Sequence, residues 1–276
     1  MHTAIIIPAR YASTRLPGKP LIMIHGQTML QRVVQLSRAA IVGLDNVSVI
    51  VATDDDRISK HCQEIGVDWV MTSTEALTGT DRVAEAVRQL PSPPDFILNM
   101  QGDAPLTPPD FLRAMIDAFA TAPCDVVTPV TQLNWAQLDT LRQNKLSTPF
   151  SGTTAVFNQQ TGQAYWFSKN IIPALRKEKE LRQQSEESPI FRHIGLYGYS
   201  FAMLEQFLTL LPESTYEQME GLEQLRILEH GYTIRCVPVD YKGRASMSGI
   251  DSPEDVVRAE TLIVQHGELL PLTKEI

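Results

Sequence analysis

The sequence has few cysteines, no long apolar run and no excess of basic residues. Its three cysteines, Cys62, Cys124 and Cys236, are far apart and form no C-x-x-C pair. This spacing argues against a disulfide framework or a thiolate zinc site and fits a reducing compartment. No stretch approaches the ~20 apolar residues of a membrane-spanning helix, and the apolar run before Pro8 is too short for a signal-peptide core. We therefore expect a cytoplasmic protein without a membrane segment.

The charge balance excludes some partners. The formal net charge is -8 and the pI is near 5.3, which argues against general binding to nucleic acid or to an anionic membrane surface. The 276 residues, 43% of them hydrophobic, can bury a substantial core. We expect one main domain with an elaboration.

Two common nucleotide-binding fingerprints are also missing. Gly18-Lys19 is followed by Pro20 and has no upstream glycine at the spacing of G-x-x-x-x-G-K-[ST], and no G-x-G-x-x-G follows a predicted strand. An ordinary P-loop and a dinucleotide site are therefore excluded, and a nicotinamide-dependent oxidoreductase is a poor alternative.

A group of cations follows the first apolar strand. Residues 5–7 predict a buried strand that breaks at Pro8 into a loop carrying Arg10, Arg15 and Lys19. Guanidinium groups can bind phosphate oxygens bidentately, and a lysine acts as a point charge. Open α/β sheets bind ligands beyond the carboxyl ends of their strands, so the loop predicts a phosphate site; the alternative is a solvated basic loop.

Apolar strands alternate with amphipathic helices through the first half of the chain. This alternation predicts an α/β fold with a mostly parallel, doubly wound sheet covered on both faces. Thr107 is the predicted N-cap of the helix at 108–121, with Pro108 at its first position. The predicted strands are 3–7, 47–51, 67–71, 95–100 and 125–130, and the predicted helices are 28–41, 56–65, 81–90 and 108–121.

The segment after residue 130 breaks this rhythm. It is polar, and we interpret it as an insertion around a short strand at 153–157, with a solvated or mobile tract near 177–189. The predicted domains are therefore a core of residues 1–130 and 200–276 and an inserted subdomain of residues 131–199. Beyond the tract we predict a strand at 193–199, helices at 201–211 and 216–230, a strand at 233–239, and a last helix that begins at Ser252.

Two aspartates occupy predicted turns where a sheet enzyme places its chemistry. Asp103 follows the buried strand at 95–100, and Asp251 directly precedes the last helix. Separated carboxylates of this kind can hold Mg²⁺, which binds one or two carboxylates together with substrate phosphates. The alternative interpretation is that both are turn or capping residues.

Further polar groups predict binding of a base or ribose and of an acidic, hydroxylated substrate. The predicted loop 78–82 offers hydroxyls and Arg82 for a base or ribose, whereas Asp55 and Asp56 are interpreted as helix-start residues. Of the six histidines, only His193 lies where a functional role is expected. The group predicted to suit a carboxylated, polyhydroxylated substrate consists of Lys169, Arg176, Arg192, His193 and Tyr197, with Glu223 and Gln224 on a later helix.

Seven motifs in chain order resemble those of one enzyme family. They are IPARYASTRLPGKPL (7–21), VATD (51–54), GTDR (79–82), QGD (101–103), RHIGLY (192–197), LEQLR (222–226) and IDSPED (250–255). Together they resemble the CMP-Kdo synthetases, which are 3-deoxy-manno-octulosonate cytidylyltransferases. The resemblance spans nearly the whole chain.

The resemblance implies a fold, a reaction and roles for individual residues. The fold would be that of the nucleotide-diphospho-sugar transferases, with a homodimer formed through the inserted, acceptor-binding subdomain. The reaction would convert CTP and Kdo to CMP-Kdo and diphosphate with Mg²⁺, in lipopolysaccharide precursor synthesis. Nucleotide would be bound by Arg10, Ser13, Arg15, Lys19, Thr80 and Arg82; the metal by Asp103 and Asp251; and the sugar acid by Gln101, His193, Tyr197, Glu223 and Gln224.

The mechanism expected from these residues is in-line attack by the anomeric hydroxyl of the acceptor on the α-phosphorus, without a covalent enzyme intermediate. Asp103 and Asp251 would act through the metal, while Arg15 and Lys19 would stabilise the departing diphosphate.

The sequence departs from the family at Ala104, where a glutamate is usual, at Lys169, where an arginine is usual, and at 151–154. It also has extra residues near 177–189 and past 266. Most departures lie on the acceptor side, so a cytidylyltransferase for 8-amino-Kdo or a nonulosonic acid is the main alternative. A non-catalytic nucleotide-binding paralogue is the alternative from another class.

Overall fold

The computed structural model describes residues 1–12, 15–76, 78–209, 211–247 and 249–270. The strands are β1 (Thr3–Ala9), β2 (Met23–Ile24), β3 (Gln27–Thr28), β4 (Val47–Thr53), β5 (Asp68–Met71), β6 (Phe96–Asn99), β7 (Val126–Asn134), β8 (Thr154–Phe157), β9 (Ala164–Ser168), β10 (Glu187–His193), β11 (Tyr197–Ser200) and β12 (Ile234–Pro238). The α-helices are α1 (Met29–Ala40), α2 (Asp56–Glu64), α3 (Gly79–Arg88), α4 (Pro109–Thr121), α5 (Trp135–Ser147), α6 (Glu178–Gln184), α7 (Phe201–Thr209), α8 (Thr215–Glu220), α9 (Glu223–Glu229) and α10 (Pro253–His266). A short 3₁₀ helix covers Lys19–Leu21.

Ten of these strands form one sheet in the order β5-β4-β1-β6-β11-β7-β10-β8-β9, with β12 also paired to β7. Their pairings make β1, β4, β5, β6, β7, β8 and β12 run in one direction and β9, β10 and β11 in the other. The predicted α/β fold with a mostly parallel sheet is therefore confirmed. Because the parallel strands end at one edge, the loops that follow β1, β4 and β6 lie side by side.

Helices cover both faces of the sheet, as the apolar runs predict. One core holds side chains of α1, α2 and α4, and the other holds side chains of α3, α7 and α9. Ile5, Ile6 and Ile7 of β1 alternate between the two cores and are each 0% exposed. A strand that is apolar on both sides must be central, which places the loop after β1 in the middle of the sheet edge.

Helix starts follow the predicted caps with one exception. Asp55 caps α2 by accepting from the amide of Arg57, and Ser252 caps α10 in a capping box with Asp255. The prediction for α4 is wrong by one residue, because Pro108 occupies the N-cap and Pro109 the first helical position. Both prolines tolerate these positions, where a backbone N–H would have no helical partner.

The segment 131–199 extends the main sheet through β10, β8 and β9. Its predicted short strand is present as β8, but α5 and β9 were not predicted. The tract near 177–189 is also ordered, as α6 followed by β10. Helix α6 buries none of its side chains and is held by Arg142–Glu178 (2.8 Å) and Arg182–Asp139 (2.6 Å) ion pairs. Ion pairs between distant segments leave no periodic signal in the sequence.

Two predicted elements are divided in the structure. The helix predicted at 216–230 is two helices, because Gly221 ends α8 in the left-handed conformation with φ 62°. The strand predicted at 193–199 is split between β10 and β11, which pair with successive parts of β7 on the side opposite β12. Within the described part of the chain, no helix combines the length and apolarity required to cross a bilayer.

Gly198 in β11 is required by the packing of the central sheet. A Cβ atom at this position would collide with the ring of Phe96, which is fully buried. We expect Gly198→Ala to lower the free energy of unfolding by about 3 kcal/mol, because a packed core cannot absorb the added atom. Gly195→Ala is the matched control, since a Cβ there has no atom within 4 Å. Denaturant unfolding of the two variants measures the difference, and equal stabilities would contradict this packing.

Candidate active site

Three segments that are far apart in sequence meet beside Pro8 at the end of β1. The carbonyl oxygen of Asp103 accepts from the amide of Ile250 at 2.8 Å. A Cβ on Gly249 would lie 2.9 Å from Cγ of Asp103, and one on Gly102 would collide with the carbonyl oxygen of Pro8. The two glycines allow the segments that carry Asp103 and Asp251 to approach each other and β1.

Lys19 lies between the two aspartates that the sequence singles out. Its Nζ contacts Oδ2 of Asp103 at 2.7 Å and Oδ1 of Asp251 at 3.0 Å. Burial opposes the charged form of Lys19, but the interactions with Asp103 and Asp251 outweigh it and raise the pKa of the lysine. The lysine is therefore a fixed positive charge that neutralises a pair of carboxylates.

A second cation of the loop, Arg15, is more exposed than Lys19. A guanidinium nitrogen of Arg15 lies 3.4 Å from Oδ2 of Asp251, and the Arg15 side chain is 71% exposed. It can therefore turn towards a ligand at little cost. Ser13, which the resemblance places at the nucleotide, lies outside the described residues.

The two aspartates fit a magnesium site. Oxygens of both carboxylates surround one cationic atom, the Nζ of Lys19, so their geometry already accommodates positive charge between them. The Asp103 and Asp251 side chains are 28% and 45% exposed, which leaves room for water and phosphate ligands. Among the described residues, no cluster of three or more His, Cys, Asp or Glu side chains could hold a metal. Two carboxylates completed by substrate phosphates are a common arrangement for Mg²⁺.

Arg10 connects the loop after β1 to the start of α3. Its guanidinium donates to the carbonyl oxygens of Ala76 and Thr78, the latter at 3.1 Å. Burial and the nearby charge of Arg82 lower the pKa of Arg10. Thr78 caps α3 in a capping box with Asp81, so the predicted loop 78–82 is in fact the first turn of this helix.

Thr80 and Arg82 are buried in that first turn. Arg82 is 0% exposed and forms a 2.6 Å ion pair with Asp54, in the loop after β4, and a hydrogen bond to Thr72. Thr80 is 7% exposed and receives a long hydrogen bond from Asn99. These contacts place Arg82 behind the site, where it joins two loops of the sheet edge.

A buried Arg82 predicts a stability effect that a solvent-facing ligand would not produce. We expect Arg82→Leu to lower the free energy of unfolding by about 3 kcal/mol, because Asp54 would remain as an unpaired, largely buried charge. The double variant Arg82→Leu/Asp54→Leu should recover part of the loss. Chemical denaturation of the single and double variants gives a double-mutant cycle. If the losses in free energy of unfolding were additive, the Arg82–Asp54 pairing would be contradicted.

A second polar group lies on one face of β6 and β11, beside the Asp103 loop. Tyr197 pairs with Asn99 in the sheet, so their side chains share a face. The Tyr197 hydroxyl donates to Oε1 of Gln224 at 2.9 Å. Burial raises the pKa of Tyr197 well above its usual range, which keeps the phenol protonated.

Two buried atoms in this group have no partner. Nε2 of Gln224 and Oδ1 of Asn99 form no hydrogen bond with the described residues, although the side chains are 2% and 1% exposed. A buried donor or acceptor without a partner costs about 1–3 kcal/mol. Such atoms are uncommon in folded proteins and occur at ligand sites.

His193 ends β10 and adjoins this group. Its Nε2 lies 2.8 Å from Oγ1 of Thr128 on β7, and its ring is 5.1 Å from that of Phe167 and 5.5 Å from that of Tyr197. Burial, aided by the charge of Lys169, lowers the pKa of His193 to about 3. The imidazole is therefore neutral at physiological pH.

The other predicted sugar-acid residues divide into three groups. Lys169 is half-buried near His193, and its amide donates to Glu220 at 2.7 Å. Gln101 is half-buried in the Asp103 loop, and Glu223 is exposed at the start of α9. Arg176 and Arg192 are not brought into this cluster. Arg176 is exposed without a partner among the described residues, and Arg192 contacts Tyr241 on the face opposite His193.

Sequence reasoning assigned no role to two buried polar residues, one in contact with His193 and one paired with Tyr197. Thr128 and Asn99 lie within strands whose sequences predict only buried β-structure. The one feature that distinguishes them is that they are polar residues at buried positions. A buried polar residue beside a sheet edge is the available signal, because it needs a partner that the strand does not supply.

Known proteins match this chain over nearly its full length. A sequence profile of the family described as Cytidylyltransferase matches residues 4–234. The 3-deoxy-manno-octulosonate cytidylyltransferases of Maricaulis maris and Anaeromyxobacter dehalogenans are 44% and 40% identical; the alignments cover 98% and 95% of this chain and 100% and 98% of those proteins. A solved structure of CMP:2-keto-3-deoxy-manno-octonic acid synthetase complexed with CTP is 31% identical, with a TM-score of 0.80 over 96% of this chain and 99% of that one. The chain is therefore a cytidylyltransferase and belongs to the 3-deoxy-manno-octulosonate cytidylyltransferase, or CMP-Kdo synthetase, family.

Proposed function

We propose that the enzyme transfers a cytidylyl group from CTP to the anomeric hydroxyl of Kdo, releasing diphosphate and forming CMP-Kdo for lipopolysaccharide precursor synthesis. The observation that carries this proposal is the position of Lys19 between Asp103 and Asp251, at the edge where the central strand ends. This arrangement supplies a cation and a carboxylate pair for a triphosphate, and the buried polar group around Tyr197 lies next to it.

The side chains at the sheet edge have separate tasks in this reaction. Lys19 and Arg15 supply positive charge to the triphosphate and to the departing diphosphate. Arg10, with Arg82 behind it, holds the loop after β1 against the start of α3, so the cations are positioned before the ligand arrives. Thr80 belongs to the same first turn and lies beside the base or ribose. Direct attack by the acceptor requires no enzyme nucleophile.

Asp103 and Asp251 would hold Mg²⁺. When bound, the ion would supply charge neutralisation to the phosphates. The carboxylates are now satisfied by Lys19, so nucleotide phosphates that draw Lys19 towards them would free the carboxylate oxygens.

The acceptor side supports a sugar acid. The cation of Lys169, the uncharged His193 and the Tyr197–Gln224 pair provide one charged group among several hydrogen-bonding groups, which matches one carboxylate among several hydroxyls. Gln101 and Glu223 border this side. Lys169, in place of the family arginine, removes a bidentate contact, and this observation favours another sugar acid as the second candidate.

Two further properties are proposed, an oligomeric state and a location. A homodimer formed through residues 131–199 is supported by two large apolar side chains at the end of α5, Leu146 and Phe150, which are 81% and 71% exposed. The cysteine pattern supports a cytoplasmic location.

The test is diphosphate release with Mg²⁺ from each of CTP, UTP, ATP and GTP, with Kdo, 8-amino-Kdo, N-acetylneuraminate or no acceptor. The proposal expects release only with CTP and Kdo. Release with CTP and a different acid would support the second candidate, and CTP binding without release in any combination would overturn the catalytic proposal.

A further inference from the structure

The hydroxyl of Thr128 links His193 to the backbone of the segment before β11. Its Oγ1 lies 2.8 Å from Nε2 of His193 and 2.8 Å from the carbonyl oxygen of Leu196. Thr128 is 0% exposed, so no water competes for either contact. The three atoms form a buried chain whose protons can be assigned from chemistry.

Two oxygens 2.8 Å apart repel each other unless a proton lies between them. A carbonyl has no proton, so the Thr128 hydroxyl must donate to Leu196. That hydroxyl has only one proton, and the contact with His193 therefore requires the ring to donate from Nε2. Since the buried ring is neutral, the proton on Nε2 leaves Nδ1 as an acceptor.

The Nδ1 atom has no hydrogen-bond partner among the described residues. The buried side-chain atoms that lack a hydrogen-bond partner do not include this nitrogen, so it is in contact with solvent. It is therefore open to a molecule from outside. Lys169 is the charged group near the ring, and the Phe167 and Tyr197 rings pack against it.

We propose that Thr128 is a positioning residue that holds His193 as the Nε2–H tautomer, so that Nδ1 accepts a hydrogen bond from a hydroxyl of the sugar acid. This inference rests on the proposed function for its ligand, although the tautomer itself does not depend on it. The lone pair on Nδ1 repels a carboxylate, so His193 selects a hydroxyl, and the carboxylate is left to Lys169.

The first test is ¹⁵N NMR of histidine-labelled full-length protein without substrate, with the His193 signals assigned by their loss in His193→Gln. The inference expects a neutral ring with Nε2 protonated. In Thr128→Val, which keeps the shape but removes the hydroxyl, we expect a mixture of tautomers. A wild-type ring protonated at Nδ1, or a spectrum unchanged by Thr128→Val, would overturn the inference whatever the acceptor is.

The second test is steady-state kinetics with the acceptor that the diphosphate-release experiment identifies. We expect Thr128→Val to raise KM for the sugar acid on the order of tenfold, the loss of one well-placed hydrogen bond, with a smaller effect on KM for CTP. Thr128→Ser restores the hydroxyl and should restore both the tautomer and the affinity. Thr131→Val is the matched control, because Thr131 is a buried threonine of the same strand on its opposite face. An equal change in Thr131→Val would assign the effect to packing and overturn the positioning role.

Discussion

Asp103→Asn should reduce turnover on the order of 10³-fold, the largest effect that we expect from any single substitution in this protein. The change keeps the shape of the side chain and removes its charge. In the proposed function this charge holds the metal that neutralises the triphosphate, and Asp251 alone would bind the metal weakly. The measurement is diphosphate release at saturating CTP and acceptor over a range of Mg²⁺ concentrations.

The Asp103 prediction has a matched control on the protein surface. Asp117 on α4 is 57% exposed and forms an ion pair with Arg113, one helical turn away. Asp117→Asn should therefore leave turnover and stability almost unchanged. If Asp103→Asn retained more than about a tenth of wild-type turnover at every Mg²⁺ concentration, the metal-ligand role of Asp103 would be wrong.

Lys19→Met should produce two effects of opposite direction. Turnover should fall on the order of 10²-fold, because the charge that stabilises the departing diphosphate is lost. Mg²⁺ binding to the nucleotide-free protein should instead become stronger by roughly five- to tenfold. The variant leaves two carboxylates without their cation, and one unit charge at this separation contributes about 1 kcal/mol even in water.

The Mg²⁺ effect is measurable as a rise in melting temperature on Mg²⁺ addition, which should be larger in Lys19→Met than in the wild type. Lys242→Met is a suitable control, since Lys242 is 71% exposed and pairs with the surface residue Asp110. Equal Mg²⁺ responses in the wild type and Lys19→Met would show that Lys19 and the metal do not share the carboxylates. The turnover effect would then need another explanation.

The structure also explains which parts of the candidate site were open to prediction. Lys19, Asp103 and Asp251 were found because each lies in a turn next to a strong local pattern, either an apolar strand or a capped helix start. The sheet edge brings these turns together by a general rule of parallel sheets. Their direct contact through Nζ of Lys19 could not be predicted, because it depends on distances between segments more than 80 residues apart in sequence.

Arg82 shows the opposite case. Its motif suggested a base or ribose ligand, but the first turn of α3 directs its guanidinium to Asp54, behind the site. A sequence motif identifies a residue that matters without identifying the atom it contacts. Arg192 and His193 differ in a similar way: they are adjacent in β10, and the alternation of a strand places them on opposite faces.

By itself, the sequence determined the elements with local causes, namely the buried strands from apolar runs, the helix starts from capping residues and the cation loop from its breaks at proline. Only the tertiary structure decided which groups that are distant in sequence form hydrogen bonds or ion pairs with each other. Strand β11 is the clearest example: it lies between β6 and β7 although it follows β7 by more than 60 residues, and this insertion brings Tyr197 to Asn99 and Leu196 to Thr128. The reason is physical, since periodicity and capping act within a few residues, whereas the pairing of β11 is selected by the packing of the whole sheet.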